Sequence, residues 1–191
     1  MHVKEAIEKR TSIRKFKDTP IPDNIVNELI EAGRLAPSGS NVQPTRYFII
    51  KDKELKEKLK KKRAFEQDFV YDAPLIIVLC GNPKDYERFK EVKLKKGILS
   101  EKALISFERE RAVRDISISS SFLVLRATEL GLGSCYIGLI NEDVLKKELS
   151  ILKEWIIPYA VIFGYPDEPS QKSSRKDLNE LILNNKNEEI K

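Results

Sequence analysis

Residues 116–138, ISISSSFLVLRATELGLGSCYIG, decide how the rest of the chain is read. From Ile116 to Leu130 the positions are apolar or small nearly all round, which only a helix enclosed by a core or an interface can carry. Ser117, Ser119, Ser120 and Ser121 are small enough to let other elements approach, with hydroxyls bonded back to the preceding turn. No base is at hand to make any of them a nucleophile. Gly131 and Gly133 read as a helix C-cap, glycine accepting left-handed backbone before a short strand over 134–137. A dinucleotide loop is disfavoured, because the glycines follow a helix and Tyr136 replaces the third glycine of Gly-x-Gly-x-x-Gly.

Outward from this stretch, strands and helices interleave. Leu75 to Cys80, LIIVLC, closed by Gly81-Asn82-Pro83, predicts a strand buried on both faces. Tyr47 to Ile50 and Trp155 to Phe163 predict two more. Helical spacing runs through Val3, Ala6 and Ile7, through Ile25, Val26, Leu29 and Ile30, and over 142–149. The pattern implies an α/β protein of three layers, with helices around a mixed sheet. At 191 residues the chain fits a single domain over 1–191. The charged segment 84–99, with Tyr86 and Phe89, is a candidate lid. Residues 165–191 read as a C-terminal arm with a short helix in RKDLNELI, which needs tethering to stay ordered.

The composition closes several routes. His2 is the only histidine, so a Ser-His-Asp or Cys-His triad would rest on a chain end, and zinc would lack its usual ligands. Cys80 and Cys135 are the only cysteines; each lies in an apolar segment and reads as a core thiol. No metal site and no catalytic side chain is expected, which leaves the chemistry to a bound cofactor. Residues 51–63, KDKELKEKLKKKR, hold eight Lys/Arg against three Asp/Glu, an excess equal to the whole net charge of +5. Leu55 and Leu59 stand on one face and no aromatic is interleaved, so this is a solvated helix rather than a nucleic-acid patch. The charged opening MHVKEAIEKR and the absence of a membrane-length apolar run point to a cytoplasmic protein.

Arg10-Thr11-Ser12-Ile13-Arg14 places two guanidiniums and two hydroxyls within five residues at a helix end. Such a set suits an anionic, planar ligand, since guanidinium groups bind phosphate through paired charge-assisted bonds. A loop of surface ion pairs is the alternative reading of the same residues. Gly138, at a strand end, would let backbone N–H groups approach a flat ligand, or simply make a turn.

Taken in order, RTSIRKF, APSGSNVQP, DAPLIIV, ATELGLGSCYIG and GYP…SSRKDL resemble the nitroreductase-like flavoproteins over residues 3 to 178. The resemblance implies an α/β sandwich, its central mixed sheet flanked by helices around a long core helix, in a homodimer with two FMN sites at the subunit interface and an exchanged C-terminal arm. By position it implies Arg10 as a phosphate or ribityl ligand, Thr11 as a backbone contact, Ser12 at the pyrimidine edge and Arg14 at a ring carbonyl. Pro37, Ser38, Gly39 and Asn41 match the loop that the other subunit lays on the flavin. Gln67 matches a polar contact to the ring, while Ile137, Gly138 and Leu139 match the segment whose N–H meets flavin N5. Arg175 matches a tail arginine at the phosphate; Ser173 stands where some relatives carry lysine, a place Lys172 could fill. The implied activity is ping-pong transfer from NADH or NADPH, through flavin N5, to a nitroaromatic or quinone. Reductive dehalogenation and flavin-dependent oxidation on the same fold are its enzymatic alternatives. A non-catalytic flavin-binding protein and a nucleic-acid-binding protein are those of another class.

Overall fold

β2 (Leu75–Gly81) is buried at every position, and its alternation sorts the protein into layers. Leu75, Ile77 and Leu79 share a core with Val26 and Leu29 of α2 (Asp23–Arg34) and with Ile116 and Leu123 of α5 (Glu101–Glu129). Ile76, Val78 and Cys80 join Leu59 of α3 (Lys53–Lys61), Val70 of α4 (Phe69–Asp72), and Leu145 and Leu149 of α6 (Glu142–Leu149). A strand facing two cores needs apolar side chains on both sides, which is why LIIVLC shows no polar alternation. The computed structural model describes residues 1–89, 92, 96–97, 101–169 and 172–182, with backbone alone for 101–105.

The sheet has the order β1 (Thr45–Ile50), β2, β4 (Ile156–Gly164), β3 (Gly133–Ile137). Its three ladders are antiparallel; among the described residues the parallel element of the expected mixed sheet is the bridge between Ser12 and Ser134 on the outer side of β3. The reason lies in α6. After Ile137 the chain makes a helical excursion over one face and returns to the same end of the sheet, so that Ile137 pairs with Ala160.

α5 is 29 residues long, about 43 Å at 1.5 Å per residue. Of the four serines at 117–121, three bond back as expected and Ser119 does not. Ser117, Ser120 and Ser121 donate to carbonyls three or four residues back, while Ser119 Oγ donates to the Gly33 carbonyl of α2 at 2.9 Å and meets Tyr47 Oη at 2.5 Å. Gly131 takes φ +78°, as a C-cap requires. Gly133 is different: it opens β3, and a Cβ there would lie 2.8 Å from Ile13 Cβ. Its role is close approach of the 10–14 segment, not capping.

The basic helix α3 is only partly solvated. Lys56 is buried, its Nζ donating to the carbonyls of Ala73 at 2.5 Å and Pro74 at 3.2 Å. Lys58 and Lys62 both clamp Glu148 of α6, at 2.8 and 2.5 Å. In the candidate lid, Pro83–Tyr86 forms a 3-10 turn with Tyr86 fully buried; residues 90, 91, 93–95, 98 and 99 of that segment lie outside the described ones. In the arm, Asp177 and Glu180 form a capping box on α7 (Leu178–Leu181), and residues 170, 171 and 183–191 are outside the described ones. No described helix is long and apolar enough to cross a membrane, and no His/Cys/Asp/Glu group that could hold a metal occurs among the described residues.

Candidate functional site

Beyond α1 (Val3–Lys9) the chain from Arg10 to Lys17 is laid along the open side of β3 and the segment after β4. The Ile13 N–H donates to the Ser134 carbonyl at 2.9 Å, Lys17 to Tyr165 at 2.9 Å and Asp167 to Lys15 at 3.0 Å. Glu168 Oε1 adds two more bonds, accepting Arg14 N–H at 2.7 Å and Lys15 N–H at 3.3 Å. Extended backbone puts alternate side chains on opposite sides. Ile13 goes into the core, while Ser12 and Arg14 stay exposed.

These side chains line a cavity of about 430 Å³, within the 300–1,000 Å³ usual for ligand pockets. Arg10, Thr11, Ser12 and Arg14 meet Lys172, Ser173 and Arg175 of the tail there, with Glu8 and Glu168 as the acidic members. Four cations against two carboxylates give a positive field that suits an anion. Among the described residues neither Arg10 nor Arg14 has an acidic partner within ion-pair distance, which disfavours the surface-ion-pair reading. Arg175 Nη1 donates to the carbonyls of Ser173 and Ser174 at 3.3 and 3.2 Å, which curls the tail locally. Beneath the arginines lies Cys135. Burial pushes its thiol up despite the pull of Arg14, Ser12 and Arg10, so it stays protonated and unreactive at neutral pH.

At the far end of β3, Gly138 is exposed, and a Cβ built on it would meet nothing within 4 Å. The segment 64–67 is tied to this turn: Asn141 N–H donates to the Ala64 carbonyl at 2.8 Å and Glu66 N–H to the Leu139 carbonyl at 3.1 Å. Gln67 is thereby brought to Leu139, and its Oε1 is buried without a hydrogen-bond partner among the described residues. An orphaned buried acceptor costs about 1–3 kcal/mol unless a ligand satisfies it. Ser12, paired with Ser134, and Gly138 lie four residues apart along β3, roughly 13 Å. One elongated ligand with an anionic end and a planar end fits that edge, as FMN requires.

Pro37, Ser38, Gly39 and Asn41 are not brought to this cavity. They precede β1, the opposite edge strand, three strand spacings or roughly 14 Å away. Their loop is costly: Ser40, Asn41 and Gln43 hold φ of 54°, 55° and 54°, each of order 1 kcal/mol for an L-residue. Asn41 N–H donates to the Ser38 carbonyl at 2.9 Å and Gln43 N–H to Ser38 Oγ at 2.9 Å. A third bond comes from outside, with Gly39 N–H donating to Asp115 Oδ2 on α5 at 2.6 Å. Asp115 is 1% exposed; it also accepts Tyr86 Oη–H and, at 2.8 Å, Arg114 Nε–H. Burial raises its carboxyl, but the bonds from Arg114, Tyr86 and Gly39 outweigh burial and hold it below the usual carboxylate range. Sequence reading missed Asp115, Glu8 and Glu168. For Asp115 a signal existed, a lone acid immediately before the apolar run 116–130.

Known proteins resemble this chain in sequence and in fold. The family model described as the Nitroreductase family matches residues 7–165. A Methanothermobacter thermautotrophicus protein, named with NADH dehydrogenases and NAD(P)H nitroreductases, is 30% identical over 88% of this chain and 79% of its own length. A Thermus thermophilus NADH dehydrogenase is 28% identical over 96% of both chains. Among solved structures, a nitroreductase family protein from Clostridium difficile superposes with TM-score 0.76 at 26% identity, covering 97% of this chain and 98% of that one. The NADPH:FMN oxidoreductase of Vibrio harveyi, solved with NAD+, shares the fold with TM-score 0.80 at 24% identity, over 99% of this chain and 79% of that one.

Proposed function

This chain belongs to the nitroreductase family, and we propose that it works as an NAD(P)H-dependent oxidoreductase that holds FMN along the β3 edge and reduces a small acceptor such as a nitroaromatic or a quinone. The observation that carries the reading is the continuous edge itself, from Arg10 and Arg14, without acidic partners among the described residues, to Gln67 Oε1, without a hydrogen-bond partner among them, and the open Gly138. Arg10 and Arg175, with Lys172, hold the phosphate. Ser12 meets the pyrimidine edge, and Arg14 places its positive charge at the carbonyl that gains electron density on reduction. Gln67 donates to or accepts from the ring, and Gly138, lacking a side chain, lets the backbone of Ile137, Gly138 and Leu139 come against it. When bound, FMN supplies reversible hydride chemistry at N5, and no acid or base of this chain is needed there. In this reading NAD(P)H and the acceptor use the space over the bound flavin in turn.

A homodimer completes the site. The 37–41 loop lies at the wrong edge to reach its own chain's cavity, and the exposed apolar side chains of Val3 and Ile7 on α1, Phe122 on α5, and Leu178 and Leu181 on the arm supply a surface for a second copy. Steady-state rates with varied NADPH or NADH and a quinone test the mechanism: parallel double-reciprocal lines are expected, and intersecting lines refute one shared site.

A further inference from the structure

The buried carboxylate of Asp115 stands outside the cavity at the β3 edge, yet it gathers donors from three separate parts of the chain. These are Gly39 N–H of the 37–41 loop, Tyr86 Oη–H at the start of the 84–99 segment, and Arg114 Nε–H of α5. A buried charge is expensive, and an apolar residue of similar volume packs at least as well. What Asp115 does that leucine could not is hold a main-chain N–H. The loop so held is the one whose Ser40, Asn41 and Gln43 sit in left-handed backbone, a conformation that persists only where neighbours over-determine it. Gly39 shows how tightly the loop is drawn down: a Cβ there would lie 2.7 Å from Arg114 Nη2, 3.1 Å from Arg111 Nη1 and 3.3 Å from Asp115 Oδ2. The other side of the loop presents Pro37, Ser40 and Asn41 to solvent.

We infer that Asp115 is a positioning residue acting in trans: it clamps the Pro37–Asn41 loop of its own subunit in the shape that closes over the flavin of the partner subunit. The inference rests on the FMN reading of the β3 edge and on the dimer proposed above, and adds a residue about one sheet-width from the flavin of its own chain. Because the clamp and the phosphate pocket of one chain serve different flavins, damage to the two can be separated by pairing subunits.

The test uses full-length dimers made by co-expressing differently tagged subunits, with FMN affinity read from quenching of flavin fluorescence. Asp115→Asn homodimers are expected to bind FMN about tenfold more weakly at both sites, and Arg10→Ala homodimers to lose most binding. In a mixed dimer of one Asp115→Asn and one Arg10→Ala subunit, the first chain's pocket is covered by the second chain's intact loop. One site of wild-type affinity per dimer is therefore expected. Two weakened sites would mean that Asp115 acts within its own chain, and wild-type affinity in the Asp115→Asn homodimer would mean that it positions nothing; either overturns the inference. Wild-type affinity in the Arg10→Ala homodimer would instead overturn the pocket reading. Should Asp115→Asn fail to fold, Gly39→Pro in the same pairing removes the main-chain N–H that the carboxylate holds without touching the core, and the same half-site pattern is required.

Discussion

At the scale of residues, Arg10 and Gln67 Oε1 matter most, because among the described residues the first lacks an acidic partner and the second a hydrogen-bond partner that would tie it to the fold. Arg10 has no acidic partner among the described residues, so Arg10→Ala removes little from the fold and much from the ligand. Net loss of one charge-assisted bond, about 1.5–3 kcal/mol, predicts FMN binding weakened roughly ten- to hundredfold, with the thermal midpoint of the FMN-free protein unchanged. A matching drop in that midpoint would return Arg10 to a structural role. Gln67→Met is expected to leave the FMN-free midpoint level or raised, because it deletes a buried acceptor that has no partner, and to cost several-fold in FMN affinity. Calorimetry with and without FMN separates the two effects. Arg10, Ser12 and Arg14 were legible in the sequence because five consecutive residues carry them, and the tail residues Lys172 and Arg175 because they recur in family order. Asp115 showed in the sequence only as an acid before an apolar run; its role did not, since its partners lie 76 and 29 residues away and only folding brings them together.

Between elements, Glu148 ties α6 to α3. Hydrogen bonds from Lys58 and Lys62, with their charges, hold its carboxyl down at about 2. A lowered pKa contributes stability above the ordinary glutamate value near 4.5, and that contribution is lost as pH falls from there toward about 2. Glu148→Gln should therefore lower the thermal midpoint at pH 7 and flatten its decline across this acid window; an unchanged midpoint at pH 7 would show the pair to be inert. Gly133→Ala acts at the seam between β3 and the Arg10–Lys17 segment. Its Cβ would press on Ile13, with an expected cost of about 1–3 kcal/mol in denaturant unfolding and a looser FMN site, because Ser12 and Arg14 flank Ile13. The seam also marks where sequence reading stopped short. Glycine as a cap fits Gly131, but the same residue type two positions on serves close packing, and only the position of Ile13 distinguishes them.

For the whole molecule, the layering followed from the alternation hidden in LIIVLC and from the apolar circumference of 116–130, while the antiparallel order of the sheet depended on the path of α6, which no local pattern encodes. In the proposed dimer, the opposite placement of the 10–14 cavity and the 37–41 loop leaves a lone chain without part of its site. Phe122, 41% exposed on α5, belongs to the face that a second copy covers in this account, so Phe122→Glu should yield monomers in sedimentation and lose FMN at least tenfold; a dimer with intact affinity would move the interface elsewhere. The most direct test of the central claim is titration of the FMN-free protein with FMN, followed by anaerobic addition of NADPH or NADH. The account predicts one FMN bound per chain and bleaching of the flavin absorbance near neutral pH. A protein that takes up no FMN, or holds it unreduced by either nucleotide, would contradict it.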